Sequence, residues 1–160
     1  MIPTKISSLV LLRKNGSILL GMKKRGFGIG KWNGFGGKIE KGETMLECAK
    51  RHLLEEAGLV AEDLEEVGRL EFEFIEDPLI MKVHVFTSTR FQGEPHESEE
   101  MRPQWFPESK VPFDEMWADD RLWIPLLLQG SKFRGCFQFQ DMDTISWYHL
   151  EELPSTTSLT

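Results

Sequence analysis

Residues 44–57 contain neither Gly nor Pro, and their apolar positions Met45, Cys48, Ala49, Leu53 and Leu54 recur at helical spacing. Thr44 followed by Glu47 has the form of a capping box, and Gly58 suits the left-handed residue that closes a helix. One amphipathic helix must bury its apolar stripe against something. The flanking chain supplies that partner, because on both sides apolar and polar residues alternate at the period of a strand.

Residues 6–12 and 18–22 are strand-like and are joined through Asn15-Gly16, a hairpin signal. Residues 23–37 are rich in Gly and read as a loop with at most a short strand. After the helix, Leu70, Phe72 and Phe74 alternate with charged residues. Asp77-Pro78 turns the chain, and Met81, Val83 and Val85 alternate again. Residues 104–106 form a short candidate strand, 119–129 a second helix, and 135–139 with 144–150 a last strand pair. The order predicts an α+β domain, with a mixed β-sheet packed between helices. A chain of 160 residues supplies one such domain, taken here as residues 1–153. Residues 154–160 are expected to form a mobile tail.

The formal charge of −7 argues against a grip on polymeric nucleic acid, which needs a basic face. A small phosphate-bearing ligand remains compatible if a divalent metal bridges the negative charges. No apolar run approaches the roughly 20 residues that span a bilayer, so no membrane partner is expected. Met1 to Leu12 lacks the pattern of a secretion signal. Two cysteines, Cys48 and Cys136, are too few for a disulfide framework and read as buried small apolar residues. The reading is a cytoplasmic protein, with a mitochondrial or nuclear fraction left open. No interface signal is visible, so a monomer is the default.

The helix carries the chemistry. His52, Glu55 and Glu56 stand at i, i+3 and i+4 and share one face. Adjacent ionised carboxylates repel, by about 1 kcal/mol at 4 Å in water and about 4 kcal/mol at an effective dielectric of 20. A divalent cation reverses that sign, and hard oxygen ligands suit Mg²⁺ or Mn²⁺. By itself a Glu pair is more often a solvated helix face. The spacing changes the weight: Gly37, Glu43, Arg51, Leu53, Glu55, Glu56, Gly58 and Leu59 fill eight of the nine defined positions of G-x5-E-x7-R-E-U-x-E-E-x-G-U, where U is apolar. A chance match of that quality is on the order of 10⁻⁵ or less.

This stretch resembles the box of the Nudix hydrolases. The resemblance implies the Nudix fold and metal-dependent cleavage of phosphoanhydride bonds. It extends beyond the box, through residues 21–28, 32–38, 81–86 apart from Lys82, 97–103, 116–120, 125–129 and 132–133, toward MutT-like members acting on damaged purine nucleotides. It implies Mg²⁺-dependent hydrolysis of 8-oxo-dGTP or 2-hydroxy-dATP to monophosphate and pyrophosphate, with a small-molecule nucleoside triphosphate as partner. Carried over by position, Gly36 (through its carbonyl), Glu55, Glu56 and Glu100 would form the metal site. Asn33, Asp119 and Asp120 would read the base edge. Phe27, Phe72, Phe74, Met81 and Trp117 would wall the pocket, with Lys23 and Ser8 at its side. Glu43 and Arg51 read as an architectural ion pair.

His52 departs from the box, which has Glu there. It is a candidate metal ligand or base, since imidazole can do either. It is equally the motive for an alternative: a nucleotide-binding protein with weak or lost catalysis. A second alternative is a Nudix hydrolase of another nucleotide. The bland readings stand beside these. Phe72 and Phe74 fit ordinary core by pattern alone, Asp119-Asp120 fits a helix N-terminal pair, and His84 fits a structural histidine.

Overall fold

The computed structural model describes residues 2–159. Its scaffold is strand β1 (Thr4–Lys14), whose residues 9–12 are continuously apolar because both of its faces are covered. Val10 and Leu12 point into one core, and Leu11 into the other. The Asn15-Gly16 turn, both residues at positive φ, leads to β2 (Ser17–Lys23). Then follow two short strands, β3 (Trp32–Asn33) and β4 (Phe35–Lys38), and helix α1 (Met45–Ala57). Next come β5 (Val60–Ala61), β6 (Glu65–Phe74), β7 (Leu79–Ser88), β8 (Phe91–Gln92) and β9 (Met101–Pro107). After two 3₁₀ turns, α2 (Asp120–Leu128), β10 (Lys132–Phe139) and β11 (Ile145–Leu153) complete the chain.

The main sheet has the order β11-β10-β6-β7-β1-β2-β3, with β4 also on β1 and β9 on β2. It is mixed, since β1–β7 and β6–β10 are parallel pairs. One edge of β1 pairs with β7 from Thr4 to Leu12. The other edge is divided: Leu12 to Lys14 pair with β2, and Ser7 to Val10 pair with β4. The sheet therefore forks, and the fork opens a cleft between β2, β3 and β4.

Helix α1 covers one face. Its capping box is formed, with Thr44 Oγ1 accepting from the Glu47 amide at 3.1 Å and Glu47 Oε1 accepting from the Thr44 amide at 2.9 Å. Gly58 closes the helix at φ 71°. Cys48, Ala49, Leu53 and Ala57 are its buried apolar residues, the last three in one core with Val10, Leu12, Leu19 and Phe35. Leu54 is 55% exposed, so the apolar stripe is narrower than periodicity alone implies. Helix α2 covers the other face with Trp123, Ile124 and Leu127 over Leu70, Val83, Phe133 and Phe137.

Three elements differ from the sequence expectation. Residues 35–38 form a strand, because the absence of a Cβ at Gly36 lets the backbone approach β1. Strand β9 is seven residues long, more than the three predicted, since its apolar residues face different cores and show no simple period. The two-stranded β5–β8 sheet is too short to leave a pattern. Beyond β11, Thr157 turns back to the Pro154 carbonyl, and its own carbonyl accepts from Lys132 Nζ at 2.7 Å.

A Cβ at Gly36 would collide with the Ser8 carbonyl on β1. Gly36→Ala is expected to destabilise the protein by about 3 kcal/mol or more, read as a lower urea midpoint; an unchanged midpoint would show that β4 can retreat from β1.

Candidate active site

The fork holds a cleft of about 240 Å³. Strand β1 contributes Ser7 to Leu9, β2 contributes Lys23, β3 contributes Asn33, and β4 contributes Gly36 and Gly37. The opposite wall is aromatic and apolar: Phe27, Phe72, Phe74, Met81, Trp117 and Phe139. The residues singled out for base and pocket contact, including Ser8 and Lys23, thus converge on one space. Phe72 and Phe74 are wall and core together, because Phe72 stacks on Phe137 and Phe74 on Phe139 at centroid distances of 5.6 and 5.5 Å. Phe27 is 53% exposed, yet its ring lies 5.1 Å from Trp117 and 5.9 Å from Phe74.

Asp119 and Asp120 close one end of the cleft, each only 3% exposed. Burial raises Asp119 to about 6, against a hydrogen bond from Trp123 Nε1 at 2.7 Å that favours the carboxylate. Burial pushes Asp120 well above the usual carboxylate range, and the charge on Asp119 adds to it. Two adjacent acids in an apolar pocket do not both ionise near neutral pH, so the pair presents one acceptor and one donor. Asp120 Oδ2 is buried with no hydrogen-bond partner among the described residues. An orphaned oxygen facing a cleft is suited to a polar ligand edge. Asp120 is the first helical residue of α2, but Asp119 makes no side-chain cap bond, so capping does not account for the pair.

The carboxylates of α1 lie at the other end. Glu56 lines the cleft, is 8% exposed, and its Oε1 accepts from the Gly36 amide at 3.2 Å. Glu55 is exposed beside Arg51, at 3.5 Å. His52 Nδ1 lies 3.2 Å from Glu56 Oε2, and His52 Nε2 lies 3.1 Å from the Lys38 carbonyl. Burial alone would lower the imidazole pKa, but the contacts to Glu56 and Lys38 outweigh it and raise the pKa. Both ring nitrogens are therefore engaged with the protein. Glu100 is bound elsewhere: Lys23 Nζ at 2.8 Å and Arg25 Nε at 2.7 Å hold its carboxylate. Among the described residues no three His, Cys, Asp or Glu side chains gather closely enough to hold a metal ion.

The donor chemistry at Glu55 and Glu56 nonetheless fits a hard divalent cation. Both stand in the last turn of α1, the negative end of the helix dipole, where no basic residue belongs to that turn. Arg51 holds the loop to the helix. Its Nε and Nη2 donate to Glu43 at 2.6 and 3.0 Å, and Nη2 also reaches the Lys38 carbonyl at 3.2 Å. This bidentate pair, with Glu43 lowered to about 2, has the architectural role expected from its spacing.

Trp123 and Phe139 line the cleft but were not legible as site residues. Trp123 stands four residues after Asp119 on a helix, a spacing that could have suggested its hydrogen bond. Phe139 comes from a strand distant in sequence and left no local signal. His84 is a structural histidine, with Nδ1 2.8 Å from buried Glu66. Cys48 is buried, but Cys136 is only half-buried, because the face of β10 that it shares lacks a covering helix.

The Asp pair carries a pH signature. Between the ordinary Asp value and about 6, the unfolded chain loses protons that the folded protein keeps, so stability falls as pH rises. Asp120→Asn removes the need to hold that proton. It is expected to raise the melting temperature at pH 8, by about 2–4 °C per kcal/mol recovered, and to gain little at pH 4. Equal effects at both pH values would show that the pair is not desolvated.

The comparisons with known proteins bear on this geometry. The chain matches the NUDIX domain over residues 3–127. It is 53% identical over 153 residues to the oxidized purine nucleoside triphosphate hydrolase of Danio rerio, covering 96% of this chain and 98% of that protein. It is 53% identical over 155 residues to the protein of the same name in Mus musculus, covering 97% and 99%. The structure superposes on the crystal structure of the mutator protein MutT of Bacillus halodurans with a TM-score of 0.82, at 26% identity, over 92% of this chain and 97% of that one. With the helix, the Gly36-Gly37 strand and the forked sheet in place, these matches over nearly the whole length establish that the chain belongs to the Nudix family.

Proposed function

We propose that this protein hydrolyses oxidised purine nucleoside triphosphates, such as 8-oxo-dGTP and 2-hydroxy-dATP, to the monophosphate and pyrophosphate, and so clears them from the nucleotide pool. The observation that carries the reading is a single cleft lined by Asn33, Asp119 and Asp120 at one end and by Glu56 at the other, with Glu55 next to Glu56 on α1. The names of the Danio rerio and Mus musculus relatives point the same way. Asn33 offers both a donor and an acceptor. The Asp pair can exchange donor and acceptor roles, which suits one pocket to two damaged bases. Trp117 and the phenylalanines give flat faces, and stacking contributes about 1–3 kcal/mol per base.

Nudix hydrolases generally use divalent metal ions, and we propose Mg²⁺, with Mn²⁺ as a substitute. Glu55 and Glu56 would hold it, with Gly36 contributing its carbonyl. When bound, such an ion neutralises phosphate charge and makes water a better nucleophile. Glu56, fixed by the Gly36 amide and His52, accepts a proton from the attacking water. Lys23 faces the phosphates, and Glu100 joins the site when Lys23 turns to them. His52 positions Glu56. Water adds to phosphorus, the phosphoanhydride bond breaks, and pyrophosphate carries away the electron pair. We place the protein in the cytoplasm, with a mitochondrial or nuclear share, acting as a monomer on free nucleotides.

A second reading follows from His52, whose imidazole engages Glu56 where the family has a carboxylate: a protein that binds the nucleotide and turns it over slowly. One assay separates the two. Pyrophosphate release from 8-oxo-dGTP beside dGTP, with Mg²⁺ and with EDTA, is expected to be metal-dependent and selective for the oxidised nucleotide. Binding without release favours the second reading. Glu56→Gln is expected to lower kcat by about 10²–10⁴-fold, and His52→Glu to raise turnover at low Mg²⁺. Loss of neither rate nor metal dependence in Glu56→Gln would remove Glu56 from the chemistry.

A further inference from the structure

Lys31 does not line the cleft, yet it grips the residues that do. It is the last residue of the loop between β2 and β3, and β3 then delivers Asn33 to the cleft. Its amide donates to the Gly28 carbonyl at 3.1 Å, and its carbonyl accepts from the Lys23 amide at 3.0 Å. Its ammonium stands 5.3 Å from the centre of the Trp117 ring and 2.9 Å from Asp143 Oδ1. Asp143 belongs to the turn between β10 and β11, so Lys31 ties two distant loops across Trp117. The Lys31 side chain is 22% exposed, where a cation over an indole face keeps much of its attraction.

The same loop closes on Trp117 from other sides. Phe27 lies 5.1 Å from its ring, and a Cβ at Gly28 would come within 3.3 Å of its Nε1.

We propose that Lys31, anchored by Asp143, is a positioning residue that sets base affinity: it fixes Trp117 from outside the cleft. This rests on the nucleotide reading above. Lys31 touches neither the base nor the reacting phosphates, so its effect falls on binding and not on the chemical step.

The test is calorimetric binding of 8-oxo-dGMP, which needs neither metal nor turnover, followed by steady-state hydrolysis of 8-oxo-dGTP. Lys31→Met keeps the apolar stem and removes the charge. It is expected to weaken 8-oxo-dGMP binding and raise KM by about fivefold, with kcat unchanged. Lys31→Arg restores both, since guanidinium also stacks on an indole and pairs with Asp143. Asp143→Asn, which keeps the Lys31 charge but removes its anionic anchor, gives a smaller loss in the same direction. If wild type binds no 8-oxo-dGMP, the nucleotide reading fails. If wild type binds it and Lys31→Met binds equally well, the inference fails while that reading stands. A fall in kcat at constant KM, or a loss that Lys31→Arg does not repair, overturns the positioning role as well.

Discussion

The division of one edge of β1 organises this molecule. A strand edge has one row of backbone donors and acceptors, and here β2 uses one end of that row and β4 the other. Because β4 occupies the edge along Ser7 to Val10, β2 must diverge, and the space left behind is the cleft. The fork depends on backbone contact at Gly36, where the Ser8 carbonyl leaves no room for a Cβ. It depends equally on Arg51, which ties α1 to Glu43 and to the Lys38 carbonyl just past the site. Loop, strand and helix of the Nudix box are thus one mechanical unit, anchored on β1.

Negative charge is handled in opposite ways at the two ends of the cleft. Asp119 and Asp120 are fully enclosed by apolar walls, so they respond by holding a proton. Glu55 and Glu56 sit at the negative end of a helix, with Glu56 held by the Gly36 amide and His52 and with Glu55 open to solvent. They respond by favouring a cation. The enclosed end suits recognition of a neutral base by hydrogen bonds, and the open end suits phosphate chemistry. Surroundings, more than residue type, separate the two roles, since all four groups are carboxyls: Asp119 and Asp120 lie side by side in an apolar pocket, whereas Glu56 has the Gly36 amide and His52 beside it.

Much of this was legible along the chain. The α1 helix, its capping box and Gly58 follow from local propensity, and the Glu43–Arg51 pair from spacing on a loop and a helix. Phe72, Phe74, Met81, Trp117, Asp119 and Asp120 could be nominated through resemblance, and they converge on one space. The pattern was less informative where contact depends on distant chain. Residues 35–38 gave no strand signal because Gly has no side chain to alternate. Leu54 looked interior by period but faces solvent. The ion pairs of Glu100 with Lys23 and Arg25 join stretches more than 70 residues apart and left no local signal.

The sequence by itself determined the two helices and the long strands, the α+β class and the identity of the box, because each rests on periodicity or fixed spacing within a short stretch. Only the tertiary structure decided the chemical state of the groups. That burial pushes the Asp120 carboxyl upward, that His52 Nε2 meets the Lys38 carbonyl, and that Lys31 reaches Trp117 and Asp143 together all depend on neighbours outside the local stretch. Desolvation and pairing are properties of a place in space, and residue order alone does not specify the place.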